Sequence, residues 1–270
     1  MHLANIFTYP IKSCGSLTHG SIALDASGPL WDRRWMVVDP EGMFITQREL
    51  PSMALIQPTL TRDDLTLSAP GMPEISLPLH GEHGPWRQVE VWGDQCRAWD
   101  QGDEVAEWLV NYLDTEARLV RIADDFTRRV DERYAPQPAQ TGFADGFPLL
   151  IVSEASLTDL NARLIERGAA PVPMSRFRPN LVVTGCEAWA EDTWRTIRVG
   201  EITLDVVKPC ARCKITTVDQ ASGAIPDAKE PLATLATFRQ QKGTKVMFAQ
   251  NAIHRERGTL HVGDPVEILA

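Results

Sequence analysis

The run Lys208-Pro209-Cys210-Ala211-Arg212-Cys213-Lys214-Ile215-Thr216-Thr217-Val218-Asp219 sets two thiols among three cations. Neighbouring cations favour the thiolate, the form that binds a soft metal or attacks an electrophile. Pro209 cannot donate to a β-ladder and disfavours helix at Lys208, so the thiols are predicted on a loop after a strand over 202–207. The β-branched residues 215–218 predict the next strand. Three other readings compete. A thioredoxin-like C-x-x-C pair opens a helix, whereas a strand is predicted here. A structural zinc site needs two more ligands, and Cys14, Cys96 and Cys186 are lone. Two small packed thiols leave the flanking charges unexplained.

Other residues suit an anion. In Tyr9-Pro10-Ile11-Lys12-Ser13-Cys14-Gly15 a short strand ends in a turn with a cation and a hydroxyl, which alone reads as an ordinary surface turn. Arg33 and Arg34, between Trp31 and Trp35, suit either a snorkelling rim or a phosphate clamp. Phe177-Arg178-Pro179-Asn180 flanks a stiff proline with a bidentate cation and an amide; a surface salt bridge is the plain alternative for the arginine. The Asp145-Gly146 turn can aim backbone amides at an anion. His80 and His83 have metal-like spacing, but no thiol or carboxylate pattern completes a site, so they read as solvated loop residues.

The elements that must carry these residues are mostly strands. Runs at 54–60, 65–68, 75–79 and 89–92 recur between Pro, Gly and Asp clusters, which predicts a barrel or sandwich. Hairpins are predicted around residues 39–42, with a return strand over 42–48, and around Gly200. Val105, Trp108, Leu109, Tyr112 and Leu113 form the stripe of a helix over 103–113. Ser153 is the predicted N-cap of a helix with Leu157, Leu160 and Leu164 on one face, ended by Gly168. A third helix starts at Pro231. The stretch 126–141, interrupted by Pro136 and Pro138, reads as a crossover near a domain boundary.

The totals narrow the classes. The chain has 270 residues, 43% of them hydrophobic, enough for one large core or two domains. A net charge of −9 argues against a nucleic-acid surface and makes clustered cations more informative. Five cysteines and no signal peptide point to a reducing compartment. The apolar run 147–152 is too short to span a bilayer, so a cytoplasmic protein with no membrane partner is expected.

Taken together, Cys-Ala-Arg-Cys-Lys-Ile-Thr-Thr-Val-Asp at 210–219, Phe-Arg-Pro-Asn at 177–180 and Tyr-Pro-Ile-Lys-Ser-Cys at 9–14 closely resemble the signatures of MOSC-domain proteins. The branch they resemble holds the mitochondrial amidoxime-reducing component and bacterial reductases of N-hydroxylated compounds. Gln47-Arg48 and residues 262–266 resemble that family too. The resemblance implies a mainly β fold with peripheral helices: an N-terminal β-rich MOSC-associated region over 1–120 and a barrel-like MOSC domain over 121–270. It implies a molybdenum cofactor with a molybdopterin moiety, and Cys213 as the catalytic metal ligand. Lys12, Ser13, Arg33, Arg178 and Asn180 fall on cofactor-binding positions. Gly146 and Phe147 would add main-chain contacts, and Ala211 and Arg212 would lie beside the ligand; Cys210 acquires no role. The implied reaction is reduction of an N-hydroxylated or N-oxide substrate. Some relatives carry a fused C-terminal iron-sulfur domain, and no such C-x₄-C-x₂-C pattern is present here. Electrons are therefore expected from a separate ferredoxin, flavoprotein or cytochrome. Two alternatives use the same loop: a sulfur carrier with a persulfide on Cys213, and a molybdenum cofactor carrier without turnover.

Overall fold

The alternating runs pair into sheets in a computed structural model that describes residues 1–80, 84–135, 137–241 and 243–270. The largest sheet has eight strands, in the spatial order Leu17–His19, His2–Thr8, Leu181–Thr184, Leu149–Ser153, Val246–His254, Ile202–Arg212, Thr196–Val199 and Val266–Ile268. Its ladders are antiparallel except for the pair Leu149–Ser153 and Leu181–Thr184. Leu3 N–H donates to the Asp264 carbonyl at 2.9 Å and Val266 N–H to that of Met1 at 3.1 Å. These bonds tie one end of the sheet to the other and curl it into a barrel-like form with little free edge. Inside pack Leu3, Ile6, Ile151, Leu181, Ile197 and Leu204. A second sheet (Trp35–Val38, Arg118–Ile122, Asp94–Asp100, Trp86–Val91) and a three-stranded one (Gln57–Leu60, Asp64–Ser68, Ile75–Pro78) build the other half. The expected mainly β architecture is what the chain adopts.

Helix α1 spans Asp103–Leu113, as its periodicity predicts. Gly102 precedes it without a side-chain cap, a lack that for glycine costs only about a few tenths of a kcal/mol. Val105, Trp108, Leu109 and Leu113 are buried, and each such side chain contributes roughly 1.5–3 kcal/mol, so packing decides the helix. Helix α2, Glu154–Glu166, starts where Ser153 Oγ accepts the Ser156 N–H at 3.0 Å. Helix α3 covers Leu232–Arg239. Among the described residues, no helix is long and apolar enough to cross a membrane.

Four local expectations need correction. The strand Ile202–Arg212 continues through Pro209 and both its neighbours, so Cys210 sits on a strand and only Cys213 lies beyond it. Its ladder with Val246–His254 slips between Val206 and Lys208 and again between Pro209 and Ala211. Bulges are where a sheet tolerates a proline. Residues 215–218 do not form a strand: Lys214–Thr217 is a 3-10 turn. The Thr216 and Thr217 hydroxyls donate to the carbonyls of Cys213 and Lys214, at 3.0 and 2.8 Å, and Arg176 gathers the Thr216 and Thr217 carbonyls. The return strand over 42–48 is reduced to two isolated bridges, Phe44 with Val38 and Met43 with Glu90, after which Thr46 and Gln47 are buried. The crossover 126–141 contains a short ladder, Arg128–Arg129 with Gln140–Thr141. Of the loop histidines, His80 lies 5.9 Å from the Trp31 ring; His83 and Pro136 lie outside the described residues.

Candidate functional site

Lys12, Ser13, Arg33, Gly146, Phe147, Arg178, Asn180, Ala211, Arg212 and Cys213 all line one cleft between the two halves. Segments more than a hundred residues apart in the chain meet there because His2–Thr8 is a strand of the larger sheet, which delivers residues 9–13 to its rim.

One wall is a stack of cations around Tyr9. The Arg178 and Arg33 guanidinium carbons lie 4.1 and 4.2 Å from its ring centroid. The π face offsets part of the repulsion between them. Burial pushes the phenol up to about 12, so Tyr9 stays neutral, its hydroxyl donating to the Pro179 carbonyl at 3.1 Å. Asp32 is buried, and burial raises its pKa against the pull of Arg33. It accepts from Tyr9 N–H at 2.8 Å and from Arg33 Nη1 at 2.5 Å. Arg33 Nη2 in turn donates to the Arg178 carbonyl at 3.2 Å.

Arg178 is 9% exposed, and burial pushes its pKa down to about 10. Its Nη1 donates to Gln220 Oε1 at 3.0 Å, while its Nη2 is buried without a partner. Arg212 Nε is likewise unpartnered. Ser13, Arg33 and Arg178 adopt left-handed φ values of 66°, 47° and 54°. Non-glycine residues in that region cost about 1–3 kcal/mol and gather where a site dictates the backbone.

Lys12 is 5% exposed and donates to the Phe143 carbonyl at 2.9 Å and to Asp145. Burial lowers its pKa, with Asp145 opposing. Asp145 is crowded by protein on one side, which works to raise its pKa. Lys12 and the Trp92 indole N–H, 3.0 Å away, overcome this and hold it below the usual carboxylate range. Even so, 71% of the Asp145 side chain meets solvent, so the pair is screened and contributes on the order of 1 kcal/mol.

The thiols differ. Cys213 is exposed at the end of its strand. Cys210 is half-buried and receives Arg212 Nη1 at 3.0 Å, while Arg212 Nη2 anchors to the Phe177 carbonyl at 2.8 Å. Arg212 thus packs against Cys210, not Cys213. Cys14 is buried and its thiol is pushed up to about 12, which marks it as packing.

Asn180 lines the cleft and is itself tied to the main chain. Its Oδ1 accepts the Leu150 N–H at 3.1 Å, and its Nδ2 donates to the Phe7 carbonyl at 3.2 Å. Sequence reasoning passed over Asp32, Trp92 and Gln220, met Tyr9 and Asp145 only as members of a motif or turn, and gave Arg48 no role. Gln47, noted without a role, is fully buried; it donates to the Ser13 carbonyl at 2.8 Å and pairs with Gln220, the partner of Arg178. Arg48 lies 4.5 Å over the Trp92 ring at the rim. No local signal marks Gln47, which sits among the polar residues Thr46, Arg48 and Glu49; its role, like that of the others, is visible only in the tertiary structure.

The arrangement fits an anionic, metal-bearing group. Arg178 Nη2 and Arg212 Nε lack a protein acceptor, as do Arg97 Nε and Arg176 Nε elsewhere in the fold, but only the first two belong to residues that line the cleft. Among the described residues no three His, Cys, Asp or Glu side chains cluster, so a metal at Cys213 would draw its remaining donors from the bound group.

Residues 1–116 match the MOSC N-terminal beta barrel domain and residues 138–267 the MOSC domain. The chain is 37% identical to mitochondrial amidoxime reducing component 2 from Rattus norvegicus, with 98% of this chain and 82% of the relative covered. It is 36% identical to component 1 from Mus musculus (99% and 82%) and 35% to component 1 from Homo sapiens (99% and 82%).

Proposed function

Because the chain belongs to the MOSC family, alongside the amidoxime-reducing components, we propose that it is a molybdenum-cofactor-dependent reductase of N-hydroxylated compounds. The observation that carries this reading is an exposed thiol, Cys213, in the same cleft as a buried guanidinium with an unpartnered nitrogen, Arg178. A soft thiolate is a suitable protein ligand for molybdenum. Arg178, Arg33 and Lys12 would neutralise the cofactor's phosphate, and Ser13 and the main chain of Gly146, Phe147 and Ala211 would orient the pterin. When bound, the cofactor would supply a two-electron redox centre for reductive cleavage of an N–O bond. Overall, an N-hydroxyl group takes up two electrons and two protons and leaves an N–H group and water.

The residues around it bind and orient. Arg212, pinned to Phe177 and Cys210, holds the strand end from which Cys213 projects. Lys12, released from Asp145, would turn its ammonium to the incoming anion. Electrons would come from a separate ferredoxin, flavoprotein or cytochrome; substrate reduction by the isolated protein with NAD(P)H alone would overturn that part. A sulfur carrier would also use Cys213, but it gives no purpose to the cationic wall. The test is molybdenum and pterin content of the native protein beside Cys213→Ala, expressed with molybdate. Near-stoichiometric molybdenum and pterin, with metal lost in the variant, is expected. Neither component, but labile sulfur on Cys213, would favour sulfur transfer.

A further inference from the structure

A second cavity of about 440 Å³ opens beside the cleft and shares Trp92, Asp145, Gly146 and Phe147 with it. That size suits a small molecule. Tyr134 and Lys208 complete its distinctive walls. Trp92 is half exposed. The Tyr134 and Phe147 rings meet edge-on with centroids 5.9 Å apart, and Lys208 Nζ lies 4.3 and 5.8 Å from them.

The charges lining this cavity are unevenly satisfied. Asp94 is held by Arg128, Asp131 by Arg133 and Asp145 by Lys12. Arg129 faces Glu132 at 3.5 Å. Lys208 forms no ion pair within 4.0 Å among the described residues; aromatic faces hold its ammonium, and Asp131, already held by Arg133, is near enough for Lys208 to help lower that carboxyl's pKa. A cation stabilised this way remains able to take an anion. Lys208 is on the strand that ends just before Cys213, and five extended residues span at most about 17 Å. One ring with a short acidic arm spans about half of that upper limit.

We infer that this antechamber binds the non-reacting part of the substrate and selects planar aromatic N-hydroxylated compounds bearing an anionic group, the ring against Trp92 and Phe147 and the anion on Lys208. The inference rests on the reductase reading for the reacting end only. Binding at a site remote from the reacting bond is a means of positioning that bond.

Isothermal titration calorimetry on the cofactor-loaded protein, without reductant, separates binding from turnover. The probes are benzamidoxime and its para-carboxylate and para-trimethylammonium derivatives. The carboxylate is expected to bind about tenfold more tightly than the trimethylammonium form, a modest ratio because Lys208 is partly solvated. Lys208→Gln brings that ratio close to one and Lys208→Glu reverses it, while Trp92→Ala weakens all three probes. Circular dichroism confirms that each variant is folded. Equal affinity for the two charged probes in the wild type, or a ratio unchanged in folded Lys208→Gln, overturns the inference. Selective binding with no reduction after dithionite and a viologen mediator are added supports the antechamber and counts against the reductase reading alone.

Discussion

Replacing Arg178 with methionine asks whether the buried guanidinium serves the fold or a ligand. Burial lowers its pKa from an ordinary 12.5 to about 10, which corresponds to about 3 kcal/mol acting against the charged residue. In its favour stand a charge-assisted hydrogen bond to Gln220, worth about 1.5–3 kcal/mol, and the stack on Tyr9, worth up to about 2 kcal/mol. These nearly cancel, and methionine retains much of the packing volume. The variant without cofactor is therefore expected to unfold within about 1 kcal/mol of wild type, a shift of roughly 2–4 °C at most. The assay is thermal unfolding by circular dichroism of both proteins from a host unable to make the pterin. Cofactor content is then measured after expression in a competent host, where a large loss is expected. A cofactor-free variant destabilised by more than about 3 kcal/mol, with normal cofactor content in its folded fraction, would refute the reasoning. It would make Arg178 a structural keystone.

The Lys12–Asp145 pair should break asymmetrically. Asp145→Asn strands a buried ammonium and costs about 2 kcal/mol, less than for a fully enclosed pair, whereas Lys12→Met leaves a solvated carboxylate and costs under about 1 kcal/mol in the cofactor-free protein. Urea titrations giving the reverse order would contradict the assigned exposures. His254 donates from Nε2 to the Asp25 carbonyl at 2.7 Å, its Nδ1 has no partner, and burial lowers its pKa below 6.5. The unfolded chain then takes up the proton first, so stability falls as pH drops below about 6.5 until the native pKa is passed. His19, also lowered by burial, adds to that slope, and His254→Gln should make it shallower; an unchanged slope excludes the assignment. Gly142→Ala would drive a Cβ to 2.6 Å from the Arg33 carbonyl oxygen. Destabilisation of about 1–3 kcal/mol and reduced cofactor content are expected, and wild-type values for both would show that Arg33 tolerates displacement.

What could be read from the sequence was local or carried by motif. Helix α1 was legible because five apolar positions share one face, and α2 because Ser153 is a good cap. The strand through Pro209 was not, because a proline ordinarily ends a ladder, and the bulges that admit it depend on a partner strand some 40 residues on. Residues 215–218 misled for a similar reason: β-branched side chains favour strands, but here the threonine hydroxyls satisfy carbonyls of a tight turn and Arg176, distant in sequence, takes the remainder. The cationic residues of the cleft could be nominated from their motifs. Their counterparts, Asp32, Asp145 and Gln220, could not, since nothing in the chain's order announces which carboxylate or amide folds back onto which cation.

The left-handed backbone at Ser13, Arg33 and Arg178 places folding and function in opposition. Glycine is the residue those conformations suit best, so a library selected only for solubility or protease resistance should enrich glycine at all three positions. Selection for turnover should remove the same variants. These sites are therefore held against the backbone's own preference, and the divergence between two such selections would reveal where a ligand has shaped this chain without any ligand being identified beforehand.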